Sequence, residues 1–358
     1  MSSEKPIIDK TIDKTQHRNS FMKFSAIPSA LAIAVLSASA AQAETTTTDF
    51  YGSLRIGIDD VSAKDDGDAA GMNGRDYLSR VGVKASTDLG NGLTGIGRVE
   101  YGIRDANAID INQNGQPTLR LAYVGLKGGF GEIYYGSQTP IWHSYVRSAY
   151  FSDGNDTIRL GTVREDDTTQ YFYKAENFSV AAAMQTETQD GDDVDSWSLA
   201  GDYTAGPAKI QLAYVKDERV GDGELMGARV WFDATSAVKL SAFYHLQSDD
   251  YGLSNGSTGN VRLQDKSQAG VNNCAGEERS AAGVYASYKT GANQVHTRYA
   301  VDSCDDAGDV DSIKVEYIRY LAKNYRVWAS YETLNADDTR EPAAGDLSEA
   351  QVGVRFDF

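Results

Sequence analysis

Cysteine is nearly absent: Cys274 and Cys304 are the only two in 358 residues. A disulfide-stapled scaffold and a cysteine-rich zinc module are therefore excluded. Basic residues are also in short supply, 34 Lys and Arg against 51 Asp and Glu, for a formal net charge of −17. A phosphate backbone calls for a basic face, so no nucleic-acid partner is expected. Of the four histidines, His143, His245 and His296 lie beyond residue 43, and no two sit at a metal-ligand interval. None has a nucleophile or carboxylate that can be named as its partner in acid–base work, so catalytic, metal and cofactor sites are all expected to be none. Long apolar runs are missing after the first 43 residues, which leaves no candidate membrane helix there. Mean hydropathy is −0.44. That value suits a soluble protein, but a membrane β-barrel is polar at every second residue and escapes such averages.

The one apolar run, 24–36, is about 13 residues, too short for a bilayer helix of roughly 20. Lys23 precedes it, and Ala41-Gln42-Ala43 follows as a small-residue cleavage pattern. The segment 22–43 reads as a secretory signal that starts at Met22, with 1–21 as an upstream extension. The expected division is 1–43 as extension plus cleaved signal and 44–358 as one domain.

From Asp49 onward one pattern recurs: about ten residues alternating apolar and polar, rich in Tyr, Val and Leu, then a break. Short breaks fall at 88–92, 128–131, 175–177, 205–207, 235–237, 291–292 and 323–324. Longer acidic, Gly-rich breaks fall at 60–76, 104–117, 141–166, 189–195, 217–224, 249–278, 303–311 and 336–346. Seven turns and eight loops join sixteen strands of a length that suits tilted membrane strands. The faces differ in kind. Val352, Val354, Phe356 and Phe358 oppose Gln351, Gly353, Arg355 and Asp357; Leu54, Ile56 and Ile58 oppose Ser53, Arg55 and Gly57. A soluble sandwich also alternates, but an even strand count with regular short and long connections and no helical segment favours a closed barrel. Lipid then meets the apolar face and water the polar one.

Particular segments carry a resemblance. Asp49-Phe50-Tyr51-Gly52 is similar to the first strand of the trimeric general-diffusion porins of the Gram-negative outer membrane. Leu78-Ser79-Arg80-Val81-Gly82-Val83-Lys84 resembles the second strand of that family, and Gly97-Arg98-Val99-Glu100-Tyr101 the third. The run 119–127, a Gly turn, then Ile133-Tyr134-Tyr135-Gly136 resembles the fourth and fifth. The resemblance implies an all-β, 16-stranded antiparallel barrel in the cell outer membrane, crossed by a water-filled channel for ions and small hydrophilic solutes. It implies a homotrimer latched by 104–117, and a terminal Phe358 read by the barrel-assembly machinery. The channel would be narrowed by the inward-folded loop 141–166, with Asp153 and Asp156 at its acidic tip. Opposite lies a basic wall. Arg80 and Arg120 match the family's Arg positions; Arg55, Lys84 and Arg98 follow from strand phase. Opposed charges across a narrow aqueous gap set up a transverse field.

Asp-rich loops, such as Asp190, Asp192, Asp193 and Asp195, are expected to be solvated mouth loops; bridging to lipopolysaccharide phosphates through divalent cations is the weaker alternative. With acids crowding the mouth, a modest cation preference is expected, the basic wall working against it. A substrate-specific channel, or a surface adhesin or phage receptor built on a barrel, stays open as the alternative function, with 249–278 as the candidate contact loop. Cys274 and Cys304 lie just beyond one rim of the hairpin that turns at Gly291-Ala292, in a chain exported to an oxidising compartment. A Cys274–Cys304 disulfide is expected there.

Overall fold

The computed structural model describes residues 46–63, 71–103, 118–152, 158–186, 194–218, 222–251, 277–305, 308–336 and 346–358. Seventeen strand segments follow one another. The first six are β1 (Thr46–Ala63), β2 (Gly71–Asp76), β3 (Arg80–Gly90), β4 (Leu93–Gly102), β5 (Thr118–Gly128) and β6 (Gly131–Gln138). After a long inserted loop come β7 (Glu165–Lys174), β8 (Phe178–Gln185), β9 (Ser196–Ala205), β10 (Ala208–Asp217), β11 (Gly223–Asp233) and β12 (Val238–Gln247). The last five are β13 (Arg279–Thr290), β14 (Asn293–Cys304), β15 (Gly308–Ala322), β16 (Tyr325–Ala336) and β17 (Leu347–Asp357).

From β3 onward each strand pairs antiparallel with the next. β17 then returns to β1 in an eleven-residue register from Ser53↔Asp357 to Ala63↔Leu347. The sheet therefore has no free edge, so every stave has hydrogen-bonding partners on both sides.

Sixteen staves make the barrel, as the alternation predicts, because β2 and β3 are two halves of one. Ile56–Val61 of β1 faces β2, and Thr46–Ser53 of the same strand faces β3. The break between them has a local cause. Leu78 takes a left-handed backbone, φ 67°. Ser79 N–H caps Asp76 Oδ1 at 2.8 Å, and Arg55 N–H, which would otherwise join the ladder, donates to Ser79 Oγ at 2.8 Å. Tyr77 turns inward and meets Trp328 edge-on at 5.5 Å. Gly353 leaves room for that indole, since a Cβ there would collide with it.

Most connections keep their expected long–short rhythm, with strand ends displaced, and one does not. β1 runs on to Ala63 and β2 begins at Gly71, well inside the expected loop 60–76. Buried Asp59, ion-paired with Arg75, continues the lumen face there. The expected loop 303–311 shrinks to a tight connection, because β14 extends to Cys304 and β15 starts at Gly308. The expected loop 141–166 ends earlier, at the start of β7.

Exposure follows the two-residue period. In β12, Ser241, Phe243, His245 and Gln247 are buried, while Leu240, Ala242 and Tyr244 face outward. Exposed aromatics, including Phe130, Tyr173, Phe178, Tyr203, Phe232 and Tyr288, lie at or near the short-turn ends of their strands, forming an aromatic belt. The packed apolar core lies inside the barrel, where the loop between β6 and β7 meets the lumen wall.

Candidate functional site

That loop enters the lumen by a short π-helical turn, His143–Arg147, directly after β6. Its apolar side chains are among the most deeply buried of the described residues: Ile141, Trp142, Val146, Ile158 and Leu160 are all at most 1 % exposed. The two legs hold each other. Trp142 Nε1 and Arg147 Nε both donate to Leu160 O at 2.9 Å, and Arg159 Nη1 donates to Arg147 O at 2.6 Å.

Three polar contacts fix the loop to β11, β12 and β15 of the lumen wall. His245 lies between the legs: Leu160 N–H donates to Nδ1 at 3.4 Å, and Nε2 stands 3.2 Å from Val146 O. Both bonds form with a neutral ring protonated on Nε2. Arg229 donates to Ser148 Oγ at 2.7 Å and to Ser148 O at 2.9 Å. Near the tip, Ser152 N–H points at both carboxylate oxygens of Glu316, each at 3.1 Å. Aromatic stacking adds to these bonds. Tyr150 lies parallel to Tyr285 at 4.3 Å, and Phe151 sits beneath Lys314 and Arg298. Charges on this wall are sealed and paired: Arg298 and Lys314 share Glu332, and Arg279 forks onto Asp302.

The opposite sector is of another kind. All five basic residues expected from the sequence fall on the lumen side of β1, β3, β4 and β5, and four of them join one connected group. Arg98 donates to Tyr51 Oη at 2.7 Å and to Glu100 Oε2 at 2.9 Å. Arg120 Nε takes Glu100 Oε1 at 2.9 Å, and Lys84 lies over the Tyr51 ring. Arg80 belongs to the same group electrically, acting on Glu100 and Arg120. Arg55 faces a different set, across the seam. Its Cα partner is Arg355, whose other neighbour is Arg326. Asp357 takes two bonds from Arg355 Nε, at 2.8 and 3.0 Å, and lies 3.5 Å from Arg326 Nη2.

Asp153 and Asp156, expected at the loop tip, lie outside the described residues. Among the described residues the loop itself presents cations: Arg147, Arg159 and Arg164. Arg164, on the exit leg, is pulled down to about 10 by burial, with nearby Arg120, Arg80 and Arg98 adding to the fall and Glu100 opposing it. It thus extends the basic sector from the loop side. His143 is held down at about 2, first by desolvation and then by Arg147, Arg159, Arg164 and Arg229.

Sequence reasoning gave no site role to Glu100, Tyr51, Arg164, Arg326 or Arg355, nor to the docking residues Arg229 and His245. Strand phase places Arg326 and Arg355 inward as readily as Arg55. What joins them to it is closure of the seam. For His245 there was no signal, because its role rests on a contact with residues about a hundred positions away.

A closed antiparallel barrel with an apolar exterior, a charged lumen and a loop folded into that lumen defines the transmembrane pore-forming class. A profile of the Gram-negative porin family matches residues 30–339, and the chain belongs to that family; it is an outer-membrane protein. It is 31 % identical over 224 residues to an outer membrane porin protein of Bordetella pertussis, covering 51 % of this chain and 58 % of that one. To the monosaccharide porin of a Halomonas species it is 28 % identical over 221 residues, covering 54 % and 59 %. The matched stretch therefore spans under two thirds of either relative. An anion-selective porin from Comamonas acidovorans superposes with a TM-score of 0.66 at 16 % identity, covering 88 % of this chain and all of the other.

Proposed function

We propose that the chain forms a water-filled channel through which ions and small hydrophilic solutes diffuse passively across the outer membrane. Family and fold point to a channel rather than an enzyme. The observation that carries the reading is the one-sided seating of the inserted loop. On the wall it covers, Arg229, Arg298 and Lys314 keep at most 1 % side-chain or residue exposure. On the sector it leaves uncovered, the Arg98, Arg120 and Arg326 side chains keep 23, 14 and 19 %. Water thus reaches one charged strip along the lumen, which is what a narrowed but open pore requires.

The protomer is proposed to act as a homotrimer, with the short turns in the periplasm and the long loops outside, and with lipopolysaccharide and other outer-membrane lipid around it. Phe358, exposed between Phe50 and Phe356 on the outer face, is the proposed signal for the barrel-assembly machinery. Asp153 and Asp156 remain the proposed acids of the constriction.

Reconstitution of the purified protein into planar bilayers tests the channel. Stepwise ohmic currents, in triplets if the trimer holds, are expected. Membranes that stay silent with correctly folded, heat-modifiable protein would reject it.

A further inference from the structure

The seam of the barrel assembles positive charge in a way that strand pairing alone disfavours. Arg326, Arg355 and Arg55 are direct Cα partners on three consecutive staves. Staves lie about 4.8 Å apart, so the three side chains start within about 10 Å of each other. Like charges directly opposite on one face destabilise a sheet. Arg80 joins the group from β3, next to Ser53 in register, and its charge acts on both Arg355 and Arg120.

Among the described residues two carboxylates stand beside this row: Glu100 is taken up outside it, and Asp357 offsets only part of its charge by pairing with two of its members. Glu100 is bonded by Arg98, Arg120 and Tyr51, and Asp357 by Arg355 and Arg326. Arg55 makes one side-chain hydrogen bond, from Nε to neutral Ser53 Oγ at 3.0 Å. Arg80 makes no direct ion pair or side-chain hydrogen bond among the described residues. Neither has a terminal nitrogen that is both enclosed and unbonded. Arg55 is buried, 4 % exposed, and Arg80 is partly buried, so each keeps only the tip of its fork within reach of lumen water, with donors to spare there; a guanidinium fork matches the geometry of an oxyanion.

Resting on the channel reading above, we propose that Arg55, Arg80, Arg326 and Arg355 form a binding station for small multivalent oxyanions, of which inorganic phosphate is the simplest, on their way through the lumen. A divalent oxyanion offers several acceptors at once and offsets the repulsion that the empty row carries. A univalent spherical anion such as chloride neutralises less and cannot be gripped by a fork. The station supplies a local preference opposite in sign to the cation preference that the acidic mouth loops would give.

The test uses the full protein in planar bilayers, with inorganic phosphate titrated into KCl at constant ionic strength and pH 7.5. Phosphate should lower the chloride current along a saturating curve. Arg80→Gln, and separately Arg55→Gln, should shift the half-saturating concentration up by about tenfold, the equivalent of one charge-assisted contact. A current that falls only in proportion to the chloride replaced, identical in both variants, overturns the station while leaving the channel intact. Should the variants fail to fold, phosphorus-31 line broadening on the detergent-folded natural protein decides. Saturable broadening that is competed by excess sulfate and not by chloride supports the station, and its absence overturns it. Loss of all conductance in folded protein would instead count against the channel itself.

Discussion

Arg55 and Arg355 stand directly opposite each other across the β1–β17 seam. A sheet gains nothing from this pairing, since opposed like charges cost roughly what a good cross-strand pair contributes, about 0.2–1 kcal/mol. Arg55→Gln should therefore raise thermal stability slightly. In a salt-gradient measurement it should also shift the reversal potential toward cations. A variant that is less stable and unchanged in selectivity would show that Arg55 serves the fold alone.

The inserted loop hangs on Trp142, whose indole lies against β11 where Gly227 leaves room. A Cβ at Gly227 would come 2.5 Å from Trp142 Cη2. Gly227→Ala should push the loop from its seat, and Trp142→Ala should undo much of its docking. Burial losses of this kind run to about 3–5 kcal/mol. The barrel ladder is untouched, so both variants should fold and insert. They should show noisier single-channel currents and faster protease cleavage within 141–152. Quiet currents and an uncut loop in both would refute this anchoring.

Acid should loosen the same loop. The folded state holds His143 at about 2, well below the ordinary value of 6.5. Above pH 6.5 the ring is neutral in both states and contributes no pH dependence. Below it the undocked loop takes up a proton that the docked loop refuses, so docking weakens by up to about 1.4 kcal/mol per pH unit. Amide exchange in 141–152, corrected for intrinsic rate, should accelerate between pH 6.5 and 4.5 in the natural protein and less so in His143→Gln. Equal acceleration in both would place the effect elsewhere.

The Cys274–Cys304 bond remains a proposal. Cys304 ends β14 opposite Arg279, buried, and Cys274 lies outside the described residues. Mass spectrometry of the unreduced, alkylated protein should find neither cysteine labelled. Reduction should leave conductance intact and speed protease cleavage in 249–278. Two labelled cysteines in folded, unreduced protein would end the idea.

Orientation can be read on intact cells. External protease should cut within 249–278 and spare the turn at Gly129 and Phe130. Cleavage at that turn would invert the barrel.

The barrel was legible in the sequence because lipid and water impose a two-residue period that survives averaging over strands. The same phase put Arg55, Arg80, Lys84, Arg98 and Arg120 inward. Phase does not report height or closure, however. Arg355 and Arg326 meet Arg55 only because the last staves return to the first. The split at Tyr77–Ser79 was hidden for a similar reason: the Tyr77 ring packs on Trp328, some 250 positions away, while its N–H still donates to Arg55 O. The docking wall was least legible. A histidine on a polar face reads as solvated until the loop that covers it is in place.

The pairing of β1 with β17 also sets an order of events in time. Leu54 meets Phe356, and Ile56 meets Val354, across about three hundred intervening residues. Contacts that distant in the chain form late, because loop closure must be met before they reward it. Both strands carry outward Leu, Ile, Val and Phe that no water-soluble intermediate can leave bare for long. A nascent chain is therefore committed to remaining open, with two unsatisfied edges, until its last strand has been made. Sealing the sheet is therefore a single terminal step.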